Sequence, residues 1–196
     1  MIDWVEANIE FFDSRVWTTL QVDGRPVLKY PTDLWVYEEI IRRTQPEVIV
    51  ETGSYEGGSA LWFSRFAPVI SVDVRSPRAA LPGVGVIWLE GDSVALAGEV
   101  AALVDGRRCL VSLDSDHHAA HVLAELQAYS PLATEYLVVE DTAVDAYGIE
   151  AWLYYPDGGP GAAVEDWLVL NPGWAADHEC ERFKLGMNPG GWLRRA

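Results

Sequence analysis

Apolar and polar positions follow two alternating periodicities along the chain. Short β-branched runs, typical of buried strands, are separated by longer stretches in which apolar residues recur at helical spacing. Strands are predicted at 47–51, 69–73, 84–89, 109–113 and 136–139, and helices between them at 58–66, 93–104 and 117–129. Strands that alternate with helices form βαβ units. The pattern therefore predicts an α/β fold with a Rossmann-like, doubly wound, mostly parallel sheet and helices on both faces.

The N-terminal part of the chain has a different pattern. Residues 1–14 have the apolar spacing of an amphipathic helix. An Asp-Gly pair at 23–24 predicts a tight turn between two short strands. A second helix is expected to run to about Thr44, with Thr32 or Asp33 as its N-cap. We expect residues 1–45 to form a helical cap segment of one domain that spans the whole chain.

The C-terminal part breaks the alternation of strands and helices. Residues 142–161 are rich in aromatic residues, glycine and proline, and predict a long irregular loop. A helix is expected at 162–170. The tail, 183–194, has two strand-like pieces around an Asn-Pro-Gly-Gly turn at 188–191. It predicts an antiparallel C-terminal hairpin at the edge of the sheet.

The charge of the chain excludes one class of partner. Fourteen basic and 30 acidic residues give a net charge of −16, which would repel a phosphate backbone, so nucleic acid is not an expected partner. An acidic surface favours cations, either metal ions or a sulfonium, although it also serves solubility. No apolar run reaches the roughly 20 residues of a membrane span. The first residues are acidic, without the basic region of a secretory signal, so a cytoplasmic protein with no membrane partner is expected.

Carboxylates follow the predicted strands at the point where each strand ends. In an open parallel sheet, ligands bind outside the carboxyl ends of the strands. Any one of these acids could serve only as a helix cap or turn residue. Together they predict a cleft with an acidic rim, formed by Glu51, Asp73, Asp92, Asp114, Glu140 and Asp141.

The loop after the first core strand, Glu51 to Ser59, is rich in glycine. It matches neither the GxGxxG pattern of dinucleotide enzymes nor a Walker phosphate loop. The absence of a phosphate cradle suits a ligand with an amino-acid end, whose ammonium group Glu51 could meet while Gly53 and Gly57 let the backbone approach. A tight strand-to-helix turn that needs glycine for its geometry is an equally good explanation.

The next two strand ends extend this ligand site. Asp73 follows Glu51 by 22 residues, an interval at which an acid can bind two ribose hydroxyls. Asp92 could reach an adenine amino group, with Ser93 beside it. A plain N-cap role for Asp92 or Ser93 is the alternative.

The last two strand ends carry the strongest chemical signal. Asp114, Glu140 and Asp141 would repel one another unless a cation bridges them, and an all-oxygen set suits Mg²⁺ or another hard divalent ion. His117, expected one turn into the next helix, would be a good general base. Zinc is the rival, because His117 and His121 have i, i+4 spacing, but no cysteine lies nearby.

Seven co-linear segments together resemble one family. They are residues 29–35, 51–60, 71–73, 113–117, 139–142, 159–161 and 188–191. They resemble the cephalosporin hydroxylase family, which belongs to the class I methyltransferases that depend on S-adenosyl-L-methionine (SAM). That family is related to metal-dependent sugar O-methyltransferases of macrolide pathways.

The resemblance implies an activity, two cofactors and a site. We expect methyl transfer from SAM to a hydroxyl of a small molecule, such as a sugar or another intermediate of antibiotic biosynthesis, and a homo-oligomer, from dimer to hexamer. The implied SAM site is Glu51, Gly53, Ser59, Asp73 and Asp92, to which Ser54, Gly57 and Ser93 of the same loops are added. The implied Mg²⁺ ligands are Asp114, Glu140 and Asp141, and the implied catalytic residues are His117, as the base, and Asp114.

The chain also departs from the family where substrate would bind. After Asp141-Thr142 the family pattern tends toward a turn with Asn and Gly, which is replaced here by residues 143–148, and the N-terminal part is short. The family's substrates therefore cannot be carried over. Two other functions remain open: an oxidoreductase in a hydroxylation, although a 2-His-1-carboxylate set is not evident, and a non-catalytic SAM-binding partner of another enzyme.

Overall fold

A computed structural model describes residues 2–75, 85–148 and 156–196 of the chain. In these residues nine strands are found: β1 Gln21–Val22, β2 Arg25–Pro26, β3 Val48–Thr52, β4 Val69–Asp73, β5 Val86–Glu90, β6 Cys109–Leu113, β7 Tyr136–Val139, β8 Trp174–Ala176 and β9 Trp192–Arg195. The same residues form seven α-helices: α1 Trp4–Asp13, α2 Pro31–Thr44, α3 Gly58–Phe63, α4 Ser93–Val104, α5 Ala119–Tyr129, α6 Ala143–Tyr147 and α7 Pro160–Leu170.

Seven of these strands form one sheet in the order β5-β4-β3-β6-β7-β9-β8. The five strands from β5 to β7 are parallel, β9 is antiparallel to β7, and β8 is antiparallel to β9. From β3 the chain proceeds to one edge of the sheet, and from β6 it proceeds to the other. The boundary between β3 and β6 is therefore the topological switch point, where ligands bind in this kind of sheet. The predicted fold class is confirmed.

The period of two along each strand separates two hydrophobic cores. Val48 and Val50 point to the face covered by α4, α5 and α7, whereas Ile49 points to the face covered by α2 and α3. Since both faces are buried, the parallel strands can be almost continuously apolar. The polar residues near the carboxyl ends of these strands are exceptions to this apolar pattern, which makes them candidates for a functional site.

Several predicted helix starts are wrong by a few residues, and those of α2 and α5 have a clear structural reason. Helix α2 begins at Pro31. Thr32 and Asp33 do not cap it, because the Thr32 hydroxyl donates to Leu185 O at 2.6 Å and Asp33 accepts from Met187 N at 2.8 Å. Helix α5 begins at Ala119, because Asp116 accepts from the backbone N–H of His118 at 2.9 Å and forms a turn before it.

The segment predicted as a long loop contains helix α6. Asp145 on this helix accepts from Gly159 N at 2.9 Å and from Gly161 N at 2.8 Å, and so fixes the start of α7. The prediction was wrong because α6 is stabilised by partners of Asp145 that lie 14 and 16 residues further along the chain, a contact that no local pattern reports. The part of that loop at 149–155 lies outside the described residues.

The antiparallel strands at the C-terminal end of the sheet are β8 and β9, and the piece predicted at 183–187 is not a strand. Its backbone bonds to helices instead. Asn8 of α1 donates to Lys184 O at 2.6 Å and accepts from Gly186 N at 3.0 Å. Side chains of the first turn of α2 bind the same segment, which therefore ties the N-terminal helices to the end of the chain.

None of the helices formed by residues 2–75, 85–148 and 156–196 is long and apolar enough to cross a membrane.

Candidate active site

A cavity of about 720 Å³ lies at the carboxyl ends of β3, β4 and β6. This volume is in the range of small-molecule and cofactor sites. Its walls include nine of the residues predicted from sequence: Gly53, Ser54, Ser59, Asp73, Asp92, Ser93, Asp114, His117 and Asp141. The predicted residues Glu51, Gly57 and Glu140 are not on its walls.

Gly53 closes the floor of the cavity at the switch point. Its φ is +83°, and a Cβ at this position would lie 1.7 Å from the backbone oxygen of Asp114. Only glycine fits this contact, because both the conformation and the space exclude a side chain. The loops after β3 and β6 therefore meet directly, which brings the glycine-rich loop beside Asp114.

Asp73, at the end of β4, is held in one orientation by the backbone around it. One carboxylate oxygen accepts from Tyr55 N at 2.8 Å and the other from Arg75 N at 2.9 Å. Tyr55 adopts a φ of +47°, a conformation that non-glycine residues rarely take. Each oxygen keeps a free lone pair for a ligand hydroxyl. This geometry suits the predicted role in binding ribose.

Asp92 both caps a helix and faces the cavity. Its side chain accepts from Ala95 N at 2.8 Å, so the alternative of an N-cap is confirmed for this residue. Ser93, the first residue of α4, has its hydroxyl 3.1 Å from Nε2 of His121, which also lines the cavity. His121 is therefore a third group at this end of the site, which sequence reasoning considered only as a zinc ligand.

Glu51 is fully buried behind the glycine-rich loop. One oxygen accepts from the Ser71 hydroxyl at 2.7 Å, whereas Oε1 has no hydrogen-bond donor among the described residues. Burial raises the pKa of Glu51 to about 7, although Lys29 and Ser59 oppose the shift. Ser59 lies between this carboxyl and the cavity. Gly57, with a φ of +84°, is the N-cap residue that precedes α3, so its role in the structure is the turn.

Asp114, His117 and Asp141 form a compact cluster on one wall of the cavity. Nε2 of His117 lies 3.3 Å from Oδ1 of Asp114 and 3.5 Å from Oδ2 of Asp141. One ligand atom from each residue lies within 4.8 Å of the other two. No other group of this kind is found in the described parts of the chain. The cluster combines two hard oxygen donors with an imidazole.

Asn188 of the C-terminal turn positions Asp141. Asp141 has a φ of +58°, and its N–H donates to Oδ1 of Asn188 at 2.9 Å. A Cβ at Gly191 would lie 2.1 Å from Val139 O, so this turn packs directly against the end of β7. The Asn-Pro-Gly-Gly segment thus stabilises a strained backbone that points a carboxylate into the cavity.

The charges in this cluster shift one another's protonation. Burial lowers the pKa of His117, but the hydrogen bond with Asp114 and the charge of Asp141 outweigh it and raise the pKa to about 9. Burial raises the pKa of Asp141 to about 7, against the effect of His117. Burial also acts on Asp114, but Lys29 and His117 outweigh it and hold the pKa of that carboxyl below its ordinary value.

Glu140 lies beside the cluster and faces away from the cavity, toward α2. Its Oε1 accepts from Lys29 Nζ at 2.6 Å, from the Tyr37 hydroxyl at 2.7 Å and from the Ser112 hydroxyl at 2.7 Å. Lys29 Nζ also lies 2.9 Å from Oδ2 of Asp114. Burial alone would lower the pKa of Lys29, but Asp114 and Glu140 raise it above its ordinary value, so the lysine is charged.

The donor set fits a hard divalent cation. Carboxylate oxygens are the ligands that Mg²⁺ prefers, and Asp114 and Asp141 present them to the cavity. Glu140, the third predicted ligand, has Oε1 engaged by three donors and offers only its other oxygen. The cavity also fits SAM in size, and its acids, from the ends of neighbouring strands, suit the cofactor's ribose and adenine.

Comparison with known proteins identifies the relatives of the chain. The family model described as rhamnosyl O-methyltransferase/CmcI matches residues 14–196. The rhamnosyl O-methyltransferase of Mycobacterium leprae is 32% identical over 189 residues, which cover 89% of this chain and 81% of that protein. The chain belongs to the rhamnosyl O-methyltransferase/CmcI family. The resemblance to the cephalosporin hydroxylase family is thereby confirmed.

Solved structures show the same fold. A CmcI structure with Mg and SAM has a TM-score of 0.67 at 23% identity and covers 92% of this chain and 78% of that one. CalS11, described as a TDP-rhamnose 3'-O-methyltransferase of calicheamicin biosynthesis, has a TM-score of 0.54 at 19% identity, with 71% of each chain covered. Both similarities are to methyltransferase folds, which agrees with the sheet order described above.

The rival metal site is not formed. His117 lies before α5, and its Nε2 faces Asp114 and Asp141, whereas Nε2 of His121 faces Ser93 and lies 3.7 Å from Glu125. The helical i, i+4 spacing does not apply, because His117 lies in the turn closed by Asp116 and His118, before α5 begins at Ala119. In the described residues the candidate metal cluster has one histidine and two carboxylates, which is not the 2-His-1-carboxylate set of an iron oxygenase.

Several residues at the site were missed by sequence reasoning. Lys29 and Tyr37 contact the acidic cluster, and an apolar wall of Trp17, Leu28 and Met187 faces the cavity. One signal was available for Lys29: it is one of two lysines in the chain and lies among apolar residues. The apolar wall gives no local signal, because aromatic and aliphatic residues are common in any core.

Four ionisable groups, two of them fully buried and two on the cavity wall, make the stability of the metal-free protein depend on pH in one direction. Burial raises the pKa of Asp33 to about 8, and the values of Glu51, Asp141 and His117 are also raised. A group with a higher pKa in the folded state contributes stability at low pH, which is lost as the pH rises through that folded pKa. We therefore expect the free energy of unfolding to fall from about pH 5 to about pH 9.

The variant Asp33→Asn tests this pH dependence. Its amide oxygen can still accept from Met187 N, but the ionisable group is gone. The slope of unfolding free energy against pH should become shallower by up to about 1.4 kcal/mol per pH unit between about pH 5 and 8, measured by urea unfolding without metal. Asp166→Asn, which removes one carboxylate at an exposed position of α7, is the matched control. A wild-type slope in Asp33→Asn would contradict the assignment.

Proposed function

We propose that this chain is a SAM- and Mg²⁺-dependent O-methyltransferase that methylates a hydroxyl of a sugar or sugar-bearing metabolite. The observation that carries the proposal is one cavity in which the acids at the ends of β4, β6 and β7 meet His117. The reaction class agrees with the family, and the sugar acceptor is supported by relatives named rhamnosyl O-methyltransferase and TDP-rhamnose 3'-O-methyltransferase.

The glycine-rich loop and the ends of β4 and β5 would hold the cofactor. Asp73 would accept hydrogen bonds from the ribose hydroxyls, since its carboxylate is already oriented by Tyr55 and Arg75. Asp92, Ser93 and His121, which line the cavity, would bind the adenine. Gly53 and Ser54 would bring backbone groups to the amino-acid end.

His117 would take the proton of the acceptor hydroxyl. SAM would supply the electrophilic methyl group, and Asp114 and Asp141 would hold a divalent cation whose positive charge would polarise the hydroxyl. The imidazole is oriented by its contacts with both carboxylates. Orientation and proton transfer are thus the contribution of the chain itself.

The acceptor would enter beside the apolar wall of Trp17, Leu28 and Met187. The Trp17 ring is fixed, because its Nε1 donates to Phe12 O at 3.0 Å. A rigid indole suits the apolar face of a sugar ring.

Self-association, from dimer to hexamer, is part of the same proposal. Its support is a shallow groove lined by the half-exposed side chains of Trp4, Val5 and Phe183.

Titration calorimetry with SAM tests the cofactor assignment. Purified wild-type protein, with and without Mg²⁺, should bind SAM with micromolar affinity. Asp73→Ala should weaken binding by about 100-fold or more, because hydrogen bonds to a charged group contribute about 1.5–3 kcal/mol each.

Asp166→Ala serves as the control for this titration, because Asp166 is an exposed acid on α7 and is not part of the cavity. It should bind SAM as the wild type does. If the wild-type protein does not bind SAM under either condition, the methyltransferase proposal fails. If Asp73→Ala binds normally, the cofactor lies elsewhere. Normal SAM binding without methyl transfer to any hydroxylated acceptor would favour a non-catalytic partner.

A further inference from the structure

Lys29 is a cation buried within the acidic site. Its side chain is only 2% exposed, and its ammonium group contacts Oδ2 of Asp114 at 2.9 Å and Oε1 of Glu140 at 2.6 Å. These two partners follow Lys29 in sequence by 85 and 111 residues and lie at the ends of adjacent strands. The ammonium therefore contacts carboxylates that could also bind a metal cation.

Glu140 is committed to protein partners. Tyr37 and Ser112, both buried, donate to the same oxygen that accepts from Lys29. The Glu140 side chain is 4% exposed, against 20% for Asp114 and 18% for Asp141. Lys29 thus neutralises the innermost carboxylate, and the other two face the cavity. A divalent ion at these two would lie close to a fixed positive charge.

We propose that Lys29 is a built-in counter-ion that keeps the carboxylates paired when no divalent ion is bound and weakens the affinity of the site for that ion. This inference rests on the proposed function for its metal. The physical reason is that two cations close to the shared carboxylate of Asp114 repel each other, and burial reduces the screening of that repulsion. Lys29 makes occupancy of the site depend on the available concentration of the ion, because part of the negative charge is already compensated.

A simple anchoring role for Lys29 makes the opposite prediction. If the lysine only held Glu140 and Asp114 in place, its removal would disorder the ligands and weaken metal binding. If it is a competing charge, its removal leaves a more negative site and strengthens binding. The sign of the change in metal affinity therefore separates the two roles.

The experiment is calorimetric titration of Mg²⁺ alone into metal-free protein, for the wild type, Lys29→Met and Lys184→Met. Lys184 is the only other lysine in the sequence and its side chain is exposed, so it controls for a general change in net charge. We expect Lys29→Met to bind Mg²⁺ about tenfold more tightly than the wild type. The control Lys184→Met should bind Mg²⁺ with the affinity of the wild type. Equal or weaker binding by Lys29→Met would overturn the proposal.

Thermal unfolding gives a readout that is independent of activity. Without metal, Lys29→Met should melt at a lower temperature than the wild type, because Glu140 loses its buried counter-charge. Added Mg²⁺ should raise the melting temperature of Lys29→Met by more than that of the wild type. An equal response to Mg²⁺ would contradict a competing charge.

A second pair keeps the proposal testable if Lys29→Met does not fold. Glu140→Gln removes the buried acid, and Lys29→Met with Glu140→Gln removes both charges, which avoids an unpaired buried carboxylate. The double variant should again bind Mg²⁺ about tenfold more tightly than Glu140→Gln. Equal affinities in this pair would overturn the role of Lys29.

These results separate the inference from the proposed function. SAM binding that depends on Asp73, together with no effect of Lys29 on Mg²⁺ affinity, would leave the methyltransferase proposal standing and remove this one. Tighter Mg²⁺ binding by Lys29→Met, together with no SAM binding, would leave this inference standing and remove the methyltransferase proposal, since the Mg²⁺ titration needs no SAM. Absence of Mg²⁺ binding in every variant at millimolar concentrations would overturn the inference.

Discussion

The variant His117→Ala is expected to lower the turnover of methyl transfer by about 10²- to 10⁴-fold, the usual contribution of a positioned general base. The imidazole Nε2 lies between Asp114 and Asp141, so it faces the place where a hydroxyl would be activated. The affinity for SAM should stay near that of the wild type, because the acids proposed to bind SAM, Asp73 and Asp92, are supplied by other loops.

The measurement is a steady-state assay of methyl transfer from SAM, with an acceptor that the wild type uses, accompanied by SAM titration of each variant. His178→Ala is the matched control, since His178 is an exposed histidine outside the cavity. Its turnover should equal that of the wild type. Unchanged turnover in His117→Ala would exclude the base role, and a parallel loss of SAM binding would point to a collapsed site.

Removal of divalent cations is expected to abolish methyl transfer, and added Mg²⁺ should restore it. The metal-free site is unsuited to base catalysis as well as to substrate polarisation, because the pKa of His117 is raised to about 9 and the imidazole keeps its proton at neutral pH. Positive charge bound to Asp114 and Asp141 offsets the carboxylates that cause this shift and lowers the pKa. Two requirements for catalysis are thus lost together.

This expectation is checked by dialysis against a chelator, elemental analysis of the protein, and assay before and after Mg²⁺ is returned. Asp141→Asn should need a much higher Mg²⁺ concentration for half-maximal turnover, because it removes one of the two carboxylates that face the cavity. Asp166→Asn, on the exposed face of α7, should behave as the wild type does. Full turnover by protein shown to be free of metal would remove the metal from the mechanism.

Local sequence patterns predicted the framework of the site well. The strands 69–73, 109–113 and 136–139 and the helix 93–104 have the bounds that the structure shows. Four of the six acids at the strand ends line one cavity, because parallel strands place their carboxyl ends along the same edge. Helix starts were less predictable, since the side chains of Thr32 and Asp33 bond to the distant segment 185–187 and do not cap their own helix.

Sequence and tertiary structure thus determined different parts of this protein. Period-two runs, strand-to-helix alternation and the acid at each strand end are local properties, so the sequence alone predicted a doubly wound, mostly parallel sheet and the set of acids at its strand ends. Which acids face the cavity was decided only by packing. Glu140 is turned inward because Lys29, Tyr37 and Ser112, each far away in sequence, supply it with three donors. Asp141 faces outward because Asn188 holds its backbone at a positive φ. Such contacts depend on loops that meet only after the chain has folded. They divide the acidic cluster into a neutralised pair, Lys29 with Glu140, and two carboxylates that face the cavity, Asp114 and Asp141.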